Sequence, residues 1–153
     1  MPAPASLCLP GAVLFACNLN RVRSPMAAAL MKLTFGDRVF VDSCGVKPGE
    51  DIDPFAAAVM DELGADLTHH RTKGFADLDD GSFDLVVSLT PEAQHSAVEM
   101  ARGRAIELEY WPTHDPTLAS GSRETVLGAY RAVRDDLRRR IDQRFGKPST
   151  FGG

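Results

Sequence analysis

Apolar stretches short enough for strands alternate with amphipathic stretches long enough for helices, and this alternation constrains the fold more than any other feature. Ala12-Val13-Leu14-Phe15-Ala16 is an unbroken apolar run, as expected of a strand buried on both faces. The helix formers of Met26 to Leu33 follow it. Arg38 to Cys44 reads as a second strand closed by Gly45, and Pro54 to Leu63 as a helix stopped at Gly64. Phe83 to Leu89 is a third strand, and Thr90-Pro91-Glu92 opens a helix running to about Arg102. Ala105 to Tyr110 reads as a fourth strand. Arg123 to Phe145 is the last helix, with Leu127, Tyr130, Val133, Leu137 and Ile141 along one face. The pattern predicts an α/β fold: a four-stranded parallel sheet with right-handed crossovers and helices on both faces.

At 153 residues the chain has the size of one domain, expected over residues 1–146, with a loose Pro/Ser/Thr/Gly tail at 147–153. A net charge of −4 offers no general attraction to nucleic acid. The basic run Arg138-Arg139-Arg140 is interleaved with acids and reads as a solvated helix face. Three cysteines, at 8, 17 and 44, do not make a disulfide framework. No CxxC or Cys/His cluster suggests a metal site, and the adjacent His69-His70 is poor ligand spacing. Leu7 to Cys17 is apolar, but it is broken by Pro10-Gly11 and has no basic leader, so a buried strand is the better reading. No run approaches a membrane span, and a cytoplasmic location without membrane partners is expected.

In an open parallel sheet, ligands bind beyond the carboxyl ends of the strands. Cys17, Ser43-Cys44, Leu89-Thr90 and the segment after Tyr110 all fall at that edge. Chemistry concentrates in Cys17-Asn18-Leu19-Asn20-Arg21-Val22-Arg23-Ser24-Pro25, where a strand end, a tight loop and a helix start meet. A helix N-terminus presents unpaired N–H groups and partial positive charge, which suits an oxyanion. The same field favours thiolate over thiol, making Cys17 a candidate nucleophile rather than a packing residue. Arg23 offers a planar fork for two oxygens of a tetrahedral anion, and Pro25 suits the first helical turn.

A cysteine that attacks a phosphate ester expels an alkoxide or phenoxide that needs a proton. Trp111-Pro112-Thr113-His114-Asp115-Pro116 follows the fourth strand on the same edge, where Asp115 can donate that proton and then act as base toward water. His114 is a second titratable group beside it.

Val13-Leu14-Phe15-Ala16-Cys17, the Cys-x5-Arg-Ser-Pro loop, Met26-Ala27 and the later Asp115-Pro116 together resemble the low-molecular-weight protein tyrosine phosphatases. Asp42-Ser43, His70-Arg71-Thr72-Lys73 and Phe83 to Val87 are weaker echoes, and the motifs run in order along nearly the whole chain. The resemblance implies a flavodoxin-like sheet of order 2-1-3-4 and hydrolysis of phosphotyrosine or other aryl phosphates through a phosphocysteine. It implies Cys17 as nucleophile, Arg23 as phosphoryl clamp and Asp115 as acid, then base. It also implies that Ser24 bonds the sulfur and that Asn20 holds the loop, a role its tolerance of left-handed backbone suits independently. Asn18, Leu19, Arg21 and Val22 complete the phosphate-binding loop. Neither a metal nor an organic cofactor is implied, and the expected partner is a phosphotyrosine protein or small aryl phosphate.

The chain also departs from that pattern. Leu19 stands where the family commonly has Gly, and Val22 where a second cysteine is frequent. Thr117-Leu118 replaces the aromatics that often follow Asp-Pro, and no aromatic stands near Val46-Lys47-Pro48. Arg21 adds a cation that either steers anions or points into solvent. Two rivals follow from the same residues. Arsenate reductases share this fold and loop, but Leu89 to Met100 lacks the extra cysteines of an internal thiol cascade. A phosphate- or phosphoprotein-binding module without turnover would have no need of Cys17 or Asp115. Cys44 is either a redox partner of Cys17 or a buried, inert thiol.

Overall fold

The structure is a computed structural model that describes residues 9–78 and 82–146; Cys8 and the tail expected at 147–153 lie outside them. Four strands form one sheet: β1 (Ala12–Cys17), β2 (Phe40–Gly45), β3 (Leu85–Ser88) and β4 (Glu107–Tyr110). They run parallel in the order β2-β1-β3-β4, as expected. Four α-helices connect or follow them: α1 (Arg23–Phe35), α2 (Pro54–Asp61), α3 (Pro91–Ala101) and α4 (Arg123–Phe145). No helix among the described residues is long and apolar enough to cross a membrane.

Strand periodicity divides the interior into two layers. Val13, Phe15 and Cys17 of β1 face one side with Val41, Leu85 and Val87, where α1, α2 and α4 cover them. Leu14 and Ala16 face the other side with Cys44 and Val86, under Ala93 and Ala97 of α3. A strand walled on both sides has no room for polar residues, which is why β1 reads as a continuous apolar run. Phe15 is fully buried, so Phe15→Ala is expected to cost about 3–5 kcal/mol.

Element ends differ slightly from expectation. α2 stops at Asp61, two residues early, because Gly64 at φ +84° turns the chain and the Leu63 and Gly64 amides bond back to Met60 and Asp61. β3 begins at Leu85, since the Asp84 amide pairs with Ala12 ahead of the regular ladder. The carboxyl ends of all four strands, Cys17, Gly45, Ser88 and Tyr110, lie at one edge of the sheet.

Candidate active site

Between Cys17 and α1 the loop Asn18–Val22 is turned so that its carbonyls point away from the edge. The Cys17, Asn18, Leu19 and Arg21 carbonyls accept from the amides of Val46, Lys47, Gly49 and Asp53, at 2.8 to 3.1 Å. With the carbonyls so engaged, none of the amides of Asn18–Val22 donates to an acceptor among the described residues. α1 begins with no side-chain cap and no acid in its first turn. A ring of unspent donors at an uncapped helix start forms a cradle for an oxyanion. Gly45 lets the cradle sit this close to β2. A Cβ there would lie 2.7 Å from the Asn18 carbonyl oxygen and 2.8 Å from the Asn20 nitrogen.

Asn20 holds the loop in shape. It is fully buried at φ +59°, the one non-glycine residue at positive φ among those described. Its Nδ2 donates to Ser24 Oγ at 2.8 Å and to Ser43 Oγ at 3.0 Å, and its Oδ1 accepts from the Lys73 amide at 3.0 Å. His70 Nε2 lies 2.9 Å from the Asn20 carbonyl oxygen. Burial holds the His70 imidazole below its ordinary value, against the pull of that carbonyl, and the neutral ring donates to it. Asn18 is tied down as well, its Oδ1 accepting from Thr90 Oγ1 at 2.6 Å.

Ser24 Oγ stands 2.9 Å from Cys17 Sγ and 3.2 Å from the Cys44 carbonyl oxygen. Because Asn20 donates to Ser24, the single hydroxyl proton is left for either the sulfur or that carbonyl. A Cys17 thiolate draws it to the sulfur.

Arg23 and Asp115 face each other across the cleft mouth. Arg23 Nη1 donates to the Thr113 carbonyl at 3.0 Å, and Nη2 lies 4.0 Å from Asp115 Oδ2. Asp115 Oδ1 accepts from the Thr117 amide at 3.0 Å and from Thr117 Oγ1 at 2.6 Å. Burial pushes the Asp115 carboxyl up, but the two Thr117 hydrogen bonds and the Arg23 charge outweigh it and leave it below the usual carboxylate range. With Oδ1 engaged, Oδ2 is the oxygen available to carry a proton. An anion bound against Arg23 would neutralise the guanidinium and raise the carboxyl toward protonation. His114 is exposed, next to the acid in sequence.

Cys17, Leu19, Arg21, Val22, Arg23, Asp115 and Thr117 line one depression, so of the expected site residues only Asn18, Asn20 and Ser24 stay out of its wall. Those three are supports beneath it. Arg21 does not simply point into solvent: its stem crosses Gly49 and its Nε donates to the Asp51 carbonyl at 2.5 Å. Cys17 and Cys44 are both free, and the register sets their side chains on opposite faces of the sheet, Cys44 beside Ala16. Burial, the largest cause, and the nearby Cys17 and Asp42 raise the Cys44 thiol, so the inert reading is the one its surroundings support. Thr90 escaped the sequence reading as a loop anchor, and so did the hold of His70 and Lys73 on Asn20. The sequence signals for them were the place of Leu89-Thr90 at the carboxyl edge and the echo of the family in His70-Arg71-Thr72-Lys73.

The sequence model of the family described as low molecular weight phosphotyrosine protein phosphatase matches residues 12–147. An arsenate reductase of Bacillus subtilis is 30% identical over 132 residues, covering 86% of this chain and 92% of that protein. A glutaredoxin arsenate reductase of Synechocystis is 27% identical, covering 90% and 98%. Among solved structures, the YwlE arginine phosphatase of Geobacillus stearothermophilus superposes with a TM-score of 0.70 at 28% identity, covering 88% of this chain and 90% of that one. The low molecular weight protein tyrosine phosphatase of T. tengcongensis gives 0.71 at 25%, covering 86% and 95%. A family match over nearly the whole chain, joined to the strand order and the loop at Cys17, places this protein in the low molecular weight phosphotyrosine protein phosphatase family.

Proposed function

We propose that the protein is a cysteine-dependent phosphatase that hydrolyses aryl phosphate monoesters, phosphotyrosine among them, through a phosphocysteine intermediate. The observation that carries this reading is the pairing of Asp115 Oδ2 with Arg23 across the mouth of the cradle that holds Cys17. Phosphate oxygens sit against the Asn18–Val22 amides and the Arg23 fork. Cys17 Sγ attacks phosphorus, the P–O ester bond breaks, and its electron pair leaves on the ester oxygen as Asp115 Oδ2 transfers a proton to it. Water then attacks phosphorus while Asp115 takes one of its protons. The P–S bond breaks with its electrons returning to sulfur as a thiolate, to which Ser24 Oγ, 2.9 Å away, donates a hydrogen bond.

Arsenate reduction is the second reading, favoured by the names of the Bacillus and Synechocystis relatives. Among the described residues no second thiol is placed to attack an arsenate adduct on Cys17, because Cys44 is buried on the opposite face of the sheet, so this reading calls on a thiol from outside them. Phosphoarginine suits the site less well than an aryl phosphate, since its guanidinium would meet the cation of Arg21 in the depression.

Turnover of 4-nitrophenyl phosphate by wild type, Cys17→Ser and Asp115→Asn tests the proposal. Activity in wild type, none above background in Cys17→Ser, and a loss of about 10²–10⁴-fold in Asp115→Asn are expected. No wild-type turnover of any aryl phosphate, with oxidation of an added thiol on addition of arsenate, would favour the reductase.

A further inference from the structure

Arg21 is held in the depression by contacts that leave both terminal nitrogens of its guanidinium unspent. Its Nε is committed to the Asp51 carbonyl, and its stem lies so close over Gly49 that a Cβ there would meet Arg21 Cδ at 2.4 Å. The two terminal nitrogens have no hydrogen-bond acceptor and no carboxylate within ion-pair distance among the described residues. By contrast, Arg131, Arg134, Arg139 and Arg140 are all engaged by Glu or Asp side chains. A fixed cation with free donors, lining the same wall as Cys17 and Arg23, is arranged for an anion that the molecule does not supply.

The cradle itself already serves one tetrahedral anion, with the amides of Asn18–Val22 and with Arg23. The apolar part of its wall is aliphatic, at the half-exposed Leu19 and at Val22, so it offers no ring on which an isolated aryl group would stack. Affinity has to come from something other than stacking, and the unspent charge is at Arg21.

We propose that Arg21 is a specificity-determining residue that grips a second anionic group on the substrate, a carboxylate or second phosphate next to the phosphate being cleaved. This deepens the phosphatase reading and rests on it for the word substrate, though not for binding. Gly49 belongs to the same device, because only a residue without a Cβ lets the Arg21 stem cross it.

Calorimetric titration with inorganic phosphate and with methylenebisphosphonate separates one anion from two, without turnover. Wild type is expected to bind the bisphosphonate about tenfold tighter, the scale of a hydrogen bond to a charged group. The ratio should fall to near one in Arg21→Met, which lacks the cation. It should also fall in Gly49→Ala, which keeps the cation but displaces it. KM ratios then locate the second anion: 3-carboxyphenyl phosphate against 4-nitrophenyl phosphate for a small molecule, and phosphotyrosine peptides with a flanking Asp against Asn for a protein. An Arg21-dependent gain in either pair supports the proposal and names the source. Equal binding of phosphate and bisphosphonate by wild type, or a preference unchanged in both variants, would overturn it. Tight bisphosphonate binding through Arg21 without turnover of any ester would sink the phosphatase reading and leave this one standing.

Discussion

Ser24 Oγ lies 2.9 Å from the sulfur of Cys17, and the same oxygen accepts from Asn20, so its one proton is free to follow the charge on sulfur. In Ser24→Ala the thiolate loses that donor. Alkylation of Cys17 by iodoacetamide at pH 7, followed at the Cys17 peptide by mass spectrometry, should slow about tenfold if the bond contributes ~1.4 kcal/mol. An unchanged rate would mean that Ser24 only supports the loop.

Asn20 joins two requirements that substitution can separate. Asn20→Ala removes the bonds to Ser24, Ser43 and the Lys73 amide and also places a Cβ residue at φ +59°. Urea unfolding should show a loss of about 3 kcal/mol, from buried groups left unpaired and from the backbone. Asn20→Gly relieves the backbone part, so it should be less destabilised than Asn20→Ala by about 1 kcal/mol. Equal losses would assign the whole effect to the side-chain bonds.

Thr117 sets the poise of the acid. Its amide and hydroxyl both donate to Asp115 Oδ1 and stabilise the carboxylate. Thr117→Val keeps the amide bond and deletes the hydroxyl one, so the carboxyl rises and stays protonated to higher pH. The alkaline limb of the kcat profile for 4-nitrophenyl phosphate should therefore move upward. A downward move or no move would show that Asp115 is not the group titrating there.

Glu62 ties α2 to α4 through Arg131 and Arg134, at 2.7 and 2.8 Å. The hydrogen bonds from Arg131 and Arg134 hold its carboxyl at about 2, down from 4.5. The folded value lies below the unfolded one, so the contribution is full above about pH 4.5 and is lost as pH falls toward 2. Glu62→Gln should be less stable than wild type in urea at pH 7, and the two should converge near pH 2. A gap of constant size across that range would contradict the assignment.

The parallel sheet was legible because burial on both faces leaves β1 without polar residues, and period-two alternation sorts its side chains between two layers; its strand order came from the family resemblance. That alternation also places Cys17 and Cys44 on opposite faces, a consequence visible once the register Ala16 to Cys44 is known. The cradle was legible for a related reason: a strand end, a short loop and a helix start leave amides unpaired. The path of Arg21 over Gly49 was not, because it depends on how the segment after β2 folds back onto the loop carbonyls. The same holds for Lys73, His70 and Thr90, which reach Asn18 and Asn20 from 53, 50 and 72 residues away. Contacts of that range come from the crossover geometry, and nothing local in the chain announces them.

Trapping the intermediate tests the central claim most directly. Asp115→Asn, with the base of the second step removed, should accumulate a phosphoryl group on sulfur when mixed with 4-nitrophenyl phosphate and quenched. Peptide mass spectrometry with ³¹P detection is expected to place that group on the peptide holding Cys17, with none in the Cys17→Ser/Asp115→Asn double variant. Release of 4-nitrophenol with no phosphoryl group on Cys17 at any quench time would contradict the account.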